Sequence, residues 1–237
     1  MALPQRFFSL HAVRRTVVPW LLLLACLILP GLSHANPTPF QADYALRIDG
    51  WPDASIQHTL SRHGSTWESE MQTAIAIAQG NERSRFRLQD GTVEPLQFVS
   101  GYRLLGFGKR YSLSADDLRT LPDRQTALFE LSRQVRTARC SHPQVSPCTI
   151  RFLDHQGDEE TLKYRVVAHP DVTLPIGTLP GIRIDAWDPE KRDRHLILTF
   201  HADIPGLLLG MEYRREGEIA SRLTLTRLTL TADDRSS

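Results

Sequence analysis

The sequence predicts a mainly β protein, built as a curved antiparallel sheet or half-open β-barrel of about 11–12 strands with one principal α-helix. Two observations lead to this fold class. Apolar and polar residues alternate with a period of two along most of the chain, and Gly, Asp, Asn and Pro clusters separate these segments at short intervals. In contrast, sustained helical spacing occurs in one segment, residues 121–138.

The predicted helix is amphipathic. Its apolar residues recur at steps of three, four and seven and stack on one face: Leu121, Leu128, Leu131, Val135 and Ala138. Pro122 suits a first helical turn because its missing N–H would be unpaired there. Asp123 adds negative charge at the positive end of the helix dipole. We therefore expect one helix to lie against the sheet.

The strands follow from the alternation. Phe40, Ala42 and Tyr44 alternate with polar residues in the first strand, and Asp90-Gly91 is typical of a hairpin turn. Gly80-Asn81 is expected to be another turn. So many strands curl rather than stay flat, and partial closure around the helix hides sheet edges.

Two segments have a looser pattern. Residues 102–113 contain Gly106 and Gly108, which suggest a bend or a close backbone approach. Residues 170–181 are apolar and interrupted by prolines. Both segments are candidates for functional loops.

Residues 1–35 have the three parts of a secretory signal peptide. A basic region is followed by an apolar run of about 16 residues, short of the roughly 20 that a membrane span needs, and by Ser33-His34-Ala35 before Asn36. We predict that residues 36–237 form one β-rich domain in the periplasm, with no transmembrane segment after cleavage. Two alternatives remain: a lipoprotein anchored at Cys26, and an uncleaved N-terminal anchor. Arg14-Arg15 also resembles a twin-arginine signal, but Thr16-Val17-Val18 does not complete that pattern well.

The charge balance argues against a nucleic-acid partner. The whole chain has 28 Lys and Arg against 27 Asp and Glu, and the signal peptide carries three of the arginines and no acid. The exported domain is thus slightly acidic, without a net basic field to attract nucleic acid or an anionic membrane.

Export also leaves two cysteines, Cys140 and Cys148, in a turn-rich loop after the helix. We expect them to form a structural disulfide. A redox-active pair is the alternative, but it lacks Cys-x-x-Cys spacing.

No catalytic, metal or cofactor motif is recognisable. His195 and His201 share a strand face but lie roughly 20 Å apart, too far for one metal ion. The acidic residues 154–160 lack the ligand pattern of a calcium loop, and no Gly-x-Ser-x-Gly elbow is present. We therefore predict a protein that is not an enzyme and has no cofactor, with a hydrolase as a distant alternative.

The large apolar residues are expected to line the concave face of the sheet. The candidates are Trp67, Met71, Ile75, Phe86, Phe98, Phe107, Phe200 and Met211. One helix is too small to cover so many strands, and the remaining space would suit an acyl chain.

Several short motifs resemble the exported proteins of the domain of unknown function 3108 family. They are Phe40-Gln41-Ala42-Asp43-Tyr44, Leu121-Pro122-Asp123-Arg124-Gln125-Thr126-Ala127-Leu128, Pro175-Ile176-Gly177 with Arg183, and Ile204-Pro205. The resemblance implies a half-barrel similar to the periplasmic lipoprotein carriers, which hold acyl chains between a sheet and helices. It implies no catalytic residues.

Two hypotheses for the function follow. In the first, a non-enzymatic periplasmic protein binds a lipid, an acyl chain or a lipidated partner in the concavity. In the second, an interaction module of the cell envelope has a filled core, and residues 102–113 and 170–181 bind a partner protein. A cavity of about 300 Å³ or more between helix and sheet would favour the first.

Overall fold

The computed structural model describes residues 37–75 and 78–231. Within these ranges one antiparallel sheet of 13 strands accompanies one α-helix. The predicted fold class is therefore confirmed, with one strand more than expected. The predicted signal peptide, its cleavage site and Cys26 lie outside the described residues.

The strands are, in chain order, β1 Phe40–Ile48, β2 Ala54–His63, β3 Thr66–Ile75, β4 Ala78–Gln89, β5 Thr92–Leu104, β6 Phe107–Ser114, β7 Cys148–Leu153, β8 Glu159–Ala168, β9 Asp171–Leu174, β10 Gly177–Trp187, β11 Arg194–His201, β12 Leu208–Arg215 and β13 Glu218–Leu230. The helix, α1, spans Arg124–Gln134, and a 3₁₀-helix follows at Ala138–Ser141.

The order across the sheet is β6-β5-β4-β3-β2-β1-β13-β12-β11-β10-β8-β7, and β9 pairs with β10 outside this path. Strands β1 and β13 pair in the middle, so the two ends of the domain meet at its centre. Most neighbours in the sheet are also neighbours in sequence, which is why hairpin signals predict so much of the topology.

The sheet curves around its apolar face. Register shifts interrupt five of the strand pairs, and such bulges bend and twist a sheet. The curvature brings the two outermost strands towards each other: the rings of Tyr111 on β6 and His155, just after β7, lie 4.7 Å apart. Leu153 on β7 packs with Phe98 and Leu113 from the opposite edge. The two edges meet through side chains, and the sheet stays open.

The helix is shorter than predicted and turns a different face to the sheet. It begins after Asp123, which is its N-cap, so Pro122 lies before the helix. Leu131 and Val135 are buried as expected, whereas Leu128 is half-buried and Phe129, absent from the predicted apolar face, is buried. Polar residues complete the buried face, because the sheet supplies their hydrogen-bond partners.

Two further expectations are corrected. Gly80-Asn81 is not a turn but lies inside β4, where an added Cβ on Gly80 would lie 3.0 Å from the methyl group of Thr73. Residues 170–181 are not a loop: they form a hairpin of β9 and the first half of β10. Prolines at its turn and edge are compatible with this short strand pair, which explains the extra strand.

Candidate functional site

The N-terminus of α1 is bound to the sheet by a fully buried carboxylate. One oxygen of Asp123 accepts hydrogen bonds from the backbone N–H groups of Gln125 and Thr126, each at 3.0 Å, and from the hydroxyl of Ser84 on β4. The Thr126 hydroxyl donates to the other oxygen at 2.7 Å. Burial raises the pKa of Asp123, while these hydrogen bonds act in the opposite direction. Asp123 therefore joins helix and sheet at one point.

A second network of hydrogen-bonded polar side chains lies under the helix. The hydroxyl of Ser69 on β3 donates to the Gln125 side-chain oxygen at 3.0 Å and lies 2.9 Å from Nε2 of His58 on β2. The Gln125 amide in turn donates to Glu82 at 3.4 Å. Arg124 forms an ion pair with the same Glu82. Three strands thus hold the first turn of α1.

This network contains a serine and a histidine in hydrogen-bond contact, which is also the arrangement of a catalytic nucleophile and its base. Both side chains are buried beneath α1, so no substrate reaches Ser69. Burial lowers the pKa of His58 to about 4, and its Nδ1 has no hydrogen-bond partner in the described part of the protein. The pair is therefore a structural contact between β2, β3 and the helix.

The space between α1 and strands β2 and β3 is almost completely filled, whereas a groove of about 480 Å³ opens along the side of α1 that faces β5 and β7. A cavity of about 10 Å³ remains in the filled space, lined by His58, Leu60, Ser69, Gln125, Leu128, Phe129 and Gly206. This volume is close to that of a single water molecule and far below the roughly 300 Å³ of a ligand pocket. An acyl chain has no room between α1 and strands β2 and β3.

The predicted lining residues whose side chains are described occupy three different environments. Trp67, Phe86, Phe98 and Phe200 are buried in the packed core, and Met71 and Met211 are half-buried. Ile75 ends β3, and its side chain lies outside the described residues. Phe107 is not part of the concave core: it is 83% exposed at a hairpin tip. Alternation predicts the face on which Phe107 lies but not where the strand leaves the core.

A groove of about 410 Å³ opens on the inner face of the sheet beyond the N-terminus of α1. We call it the inner groove. Ile56 and Met71 form its apolar side, and the Glu82–Arg124 ion pair and His155 form its polar side. Of the predicted lining residues that the structure describes, Met71 is the one in this groove. The groove is large enough for a small amphipathic ligand.

A second groove, of about 430 Å³, lies on the outer face of the sheet beneath the β9–β10 hairpin. Val167, Val172, Leu174 and Ile197 supply apolar surface there, although an antiparallel sheet usually turns a polar face to water. The hairpin packs closely, since a Cβ on Gly181 would lie 2.9 Å from the Thr199 methyl group. We call this site the outer groove.

Charged side chains surround the apolar part of the outer groove. Asp185 pairs with Arg165 at 2.9 Å and with His195 at 2.6 Å, on a carboxylate that is almost fully buried. Glu212 pairs with both Arg214 and Arg222, which hold its pKa below the usual value despite partial burial.

Among the described residues, the charge of one arginine in the outer groove is not balanced by an acid. Arg183 donates to the Thr199 hydroxyl at 3.3 Å and has no acidic partner among the described residues. The groove therefore combines an apolar surface with an uncompensated positive charge.

Sequence reasoning missed the outer groove because bulges create it. Val167 is the extra residue between the pairs Ile184–Val166 and Arg183–Ala168, and Leu209 is the extra residue in the β11–β12 pair. The available signal was the run of consecutive apolar residues, Val166-Val167 and Leu207-Leu208-Leu209, which breaks strict alternation.

The disulfide prediction is confirmed. Cys140 and Cys148 are bonded, with a Cα–Cα distance of 5.7 Å, and join the 3₁₀-helix to the first residue of β7. Nowhere in residues 37–75 and 78–231 do three His, Cys, Asp or Glu side chains converge as metal ligands. The same ranges contain no helix with the length and apolar character to cross a bilayer.

Neither a protein-family model nor a curated protein matches the chain. Among solved structures it is similar to the crystal structure of MucB in complex with MucA(peri), with 13% identity, a TM-score of 0.41, and coverage of 85% of this chain and 53% of that one. The Pseudomonas aeruginosa MucA/MucB complex matches with 12% identity, a TM-score of 0.40 and coverage of 84% and 54%. The chain spans about half the length of these chains. Such remote likeness assigns no activity.

Proposed function

We propose that this protein is a non-enzymatic periplasmic interaction module that binds a partner protein on the surface of a filled half-barrel. The observation that carries the proposal is the cavity of about 10 Å³ between α1 and strands β2 and β3, which leaves no site for an acyl chain at the centre of the concave face. The periplasmic location rests on the predicted signal peptide. Membership in the domain of unknown function 3108 family is part of the same proposal.

The outer groove is the proposed binding site. Val167 on β8, which is about half exposed, offers apolar surface, and Arg183 supplies the unpaired charge. An extended polypeptide segment with apolar side chains and a carboxylate complements this combination, because the carboxylate would pair with the guanidinium. The already paired Asp185 and Glu212 would fix the register of such a segment without repelling it.

The experiment is photo-cross-linking in living cells, with a photoreactive amino acid at Val167. The matched control position is Leu230, which is also half-exposed and lies six residues beyond Thr224 of the groove, roughly 20 Å along β13. We expect a protein adduct of defined mass from position 167 and none from position 230. The adduct should weaken in Arg183→Glu and persist in Arg47→Glu. Equal adducts from both positions, or none, would overturn the proposed site.

The inner groove supports a second candidate function. Its volume of about 410 Å³ exceeds the lower limit for a ligand pocket, and Ile56 and Met71 lie opposite an ion pair. This combination would accept a small amphipathic ligand rather than a complete acyl chain. A photoreactive group at Met71 that labels a small molecule, while position 167 labels no protein, would favour this function over the first.

A further inference from the structure

The β5–β6 hairpin ends in a cluster of exposed apolar side chains. Tyr102 is 51% exposed, Leu104 47% and Leu105 69%, and Phe107 is more exposed than any of them. Residues 102–110 are all exposed, so the end of the hairpin projects beyond the core. We call Leu104, Leu105 and Phe107 the apolar tip. Contiguous apolar side chains in water indicate a binding surface.

The turn at the apolar tip has an unusual residue for its backbone. Leu105 and Gly106 form a two-residue turn with φ values of 50° and 89°. Two more such turns occur among the described residues, Asp90-Gly91 and Glu216-Gly217, and both place a polar residue at the first position. Positive φ is unfavourable for a bulky apolar residue and far less so for Asn or Asp. Leu105 serves neither the turn nor the core, which indicates a role for its apolar side chain in binding.

Positive charges flank the apolar tip. Arg103, Lys109 and Arg110 lie within residues 102–111, which contain no acidic residue. None of the three has an acidic partner in the part of the chain that the structure describes, whereas Arg85 and Arg87 on the neighbouring strand β4 pair with Glu68 and Glu94. The near-neutral net charge of the chain therefore hides a local basic site.

The two strands of the hairpin lie very close together next to the apolar tip. Gly108 lies opposite Arg103, and a Cβ there would fall 1.9 Å from the carbonyl oxygen of Tyr102, so the two strands approach as closely as they can. Alternation along β6 directs Phe107 and Lys109 to one face and Arg110 to the other. The charges thus surround the tip on both faces.

We propose that the apolar tip inserts into the surface of an anionic lipid bilayer. Leu104, Leu105 and Phe107 would enter the boundary between headgroups and acyl chains, and Arg103, Lys109 and Arg110 would contact the phosphates. Apolar side chains ringed by cations fit this interface better than a protein groove, because anionic headgroups surround the point of insertion on all sides. The hairpin thereby holds the half-barrel at the membrane, with the outer groove on a separate part of the sheet.

Vesicle flotation of the exported protein, purified from its own envelope, tests this inference. We expect binding to vesicles that mix phosphatidylethanolamine with phosphatidylglycerol, and little binding to neutral phosphatidylcholine vesicles. The variant Leu105→Asn/Phe107→Asn should bind roughly tenfold more weakly or worse. Arg103→Gln/Lys109→Gln/Arg110→Gln should remove the dependence on phosphatidylglycerol and on salt.

Two matched variants control for exposure and charge. Leu230→Asn changes a similarly exposed leucine at the far end of β13, and Arg47→Gln/Arg119→Gln/Arg227→Gln removes three exposed charges elsewhere. Both should bind vesicles as the wild type does. Failure of the wild type to bind anionic vesicles would overturn the inference, as would binding that survives loss of the tip. A tip variant that instead loses a cross-linked protein would make the tip a protein site and also overturn it.

Discussion

The hydroxyl of Ser69 on β3 donates a 3.0 Å hydrogen bond to the side-chain oxygen of Gln125 on α1. This contact spans 56 residues of sequence and lies beneath the first turn of α1. The helix is therefore fixed to the sheet by directed polar contacts as well as by apolar packing, and it closes the interior.

Gln125→Ala tests the contribution of that contact. The change removes the hydrogen bond between Ser69 and Gln125 while Ser69 keeps its contact with His58, and a lost hydrogen bond costs about 0.5–1.5 kcal/mol. We expect the free energy of unfolding to fall by that amount in urea titrations. Gln41→Ala, at an exposed position of β1, is the control and should change it by less than about 0.5 kcal/mol. If Gln125→Ala and Gln41→Ala lower the free energy of unfolding equally, the buried hydrogen-bond network under α1 does not contribute to stability as proposed.

The pH dependence of stability should report on His58. Its pKa is about 4 in the folded protein and about 6.5 in the unfolded chain, so the unfolded chain binds more protons between these values. Stability should therefore fall as the pH drops from about 6.5 to 4, by up to roughly 3 kcal/mol, and the histidine contributes no further loss below.

His58→Gln should reduce this slope, leaving the smaller share that His201 contributes because burial lowers its pKa as well, and His63→Gln, at an exposed position, should keep the full slope. Burial raises the pKa of Asp123. The contribution of this group to stability is therefore lost as the pH rises, which is opposite to the pH dependence expected from His58. Comparing variants that all carry Asp123 cancels this effect. Equal slopes for the wild type and His58→Gln between pH 6.5 and 4 would disprove the assignment.

Leu105→Asn should stabilise the protein while removing apolar surface. Asn tolerates positive φ, whereas the left-handed region costs an ordinary residue about 1–2 kcal/mol, so we expect a gain of roughly 1 kcal/mol in thermal unfolding. The adjacent exposed Leu104, whose φ is not positive, is the control: Leu104→Asn should bring no gain. A loss of stability in Leu105→Asn would mean that Leu105 packs within the folded domain.

Removing the disulfide should destabilise the domain without affecting any chemistry. Cys140 and Cys148 close a short loop, for which the chain-entropy model gives about 2–3 kcal/mol. Cys140→Ser/Cys148→Ser should lower the free energy of unfolding by this amount, and alkylation of the unreduced wild type should leave both thiols protected. Two free thiols in periplasmic protein would contradict the structure.

The sequence predicts the strands well because hairpins are local. Alternation around Phe40, Ala42 and Tyr44 and the Asp90-Gly91 turn have the expected positions. The helix boundaries and buried face were less predictable, since Gln125 and Thr126 are buried only because Ser69 and Ser84 meet them from distant strands. Spacing along one helix does not contain that information.

The candidate sites depend on irregularities that periodicity does not encode. The outer groove arises where bulges add Val167 and Leu209 to their strands. The apolar tip arises because β5 and β6 continue past the core, which leaves Phe107 on the predicted face but in water. The net charge of the whole chain likewise does not reveal the local positive charge of Arg103, Lys109 and Arg110.

Native mass spectrometry of the protein purified from its own envelope tests most directly whether the half-barrel is filled. We expect a protein mass without stoichiometric lipid in the Leu105→Asn/Phe107→Asn variant, because that variant lacks the apolar tip and the space between α1 and strands β2 and β3 is about 10 Å³. A lipid that stays bound to this variant at one copy per chain, and is lost in Met71→Lys, would contradict the interaction module and place a ligand in the concavity.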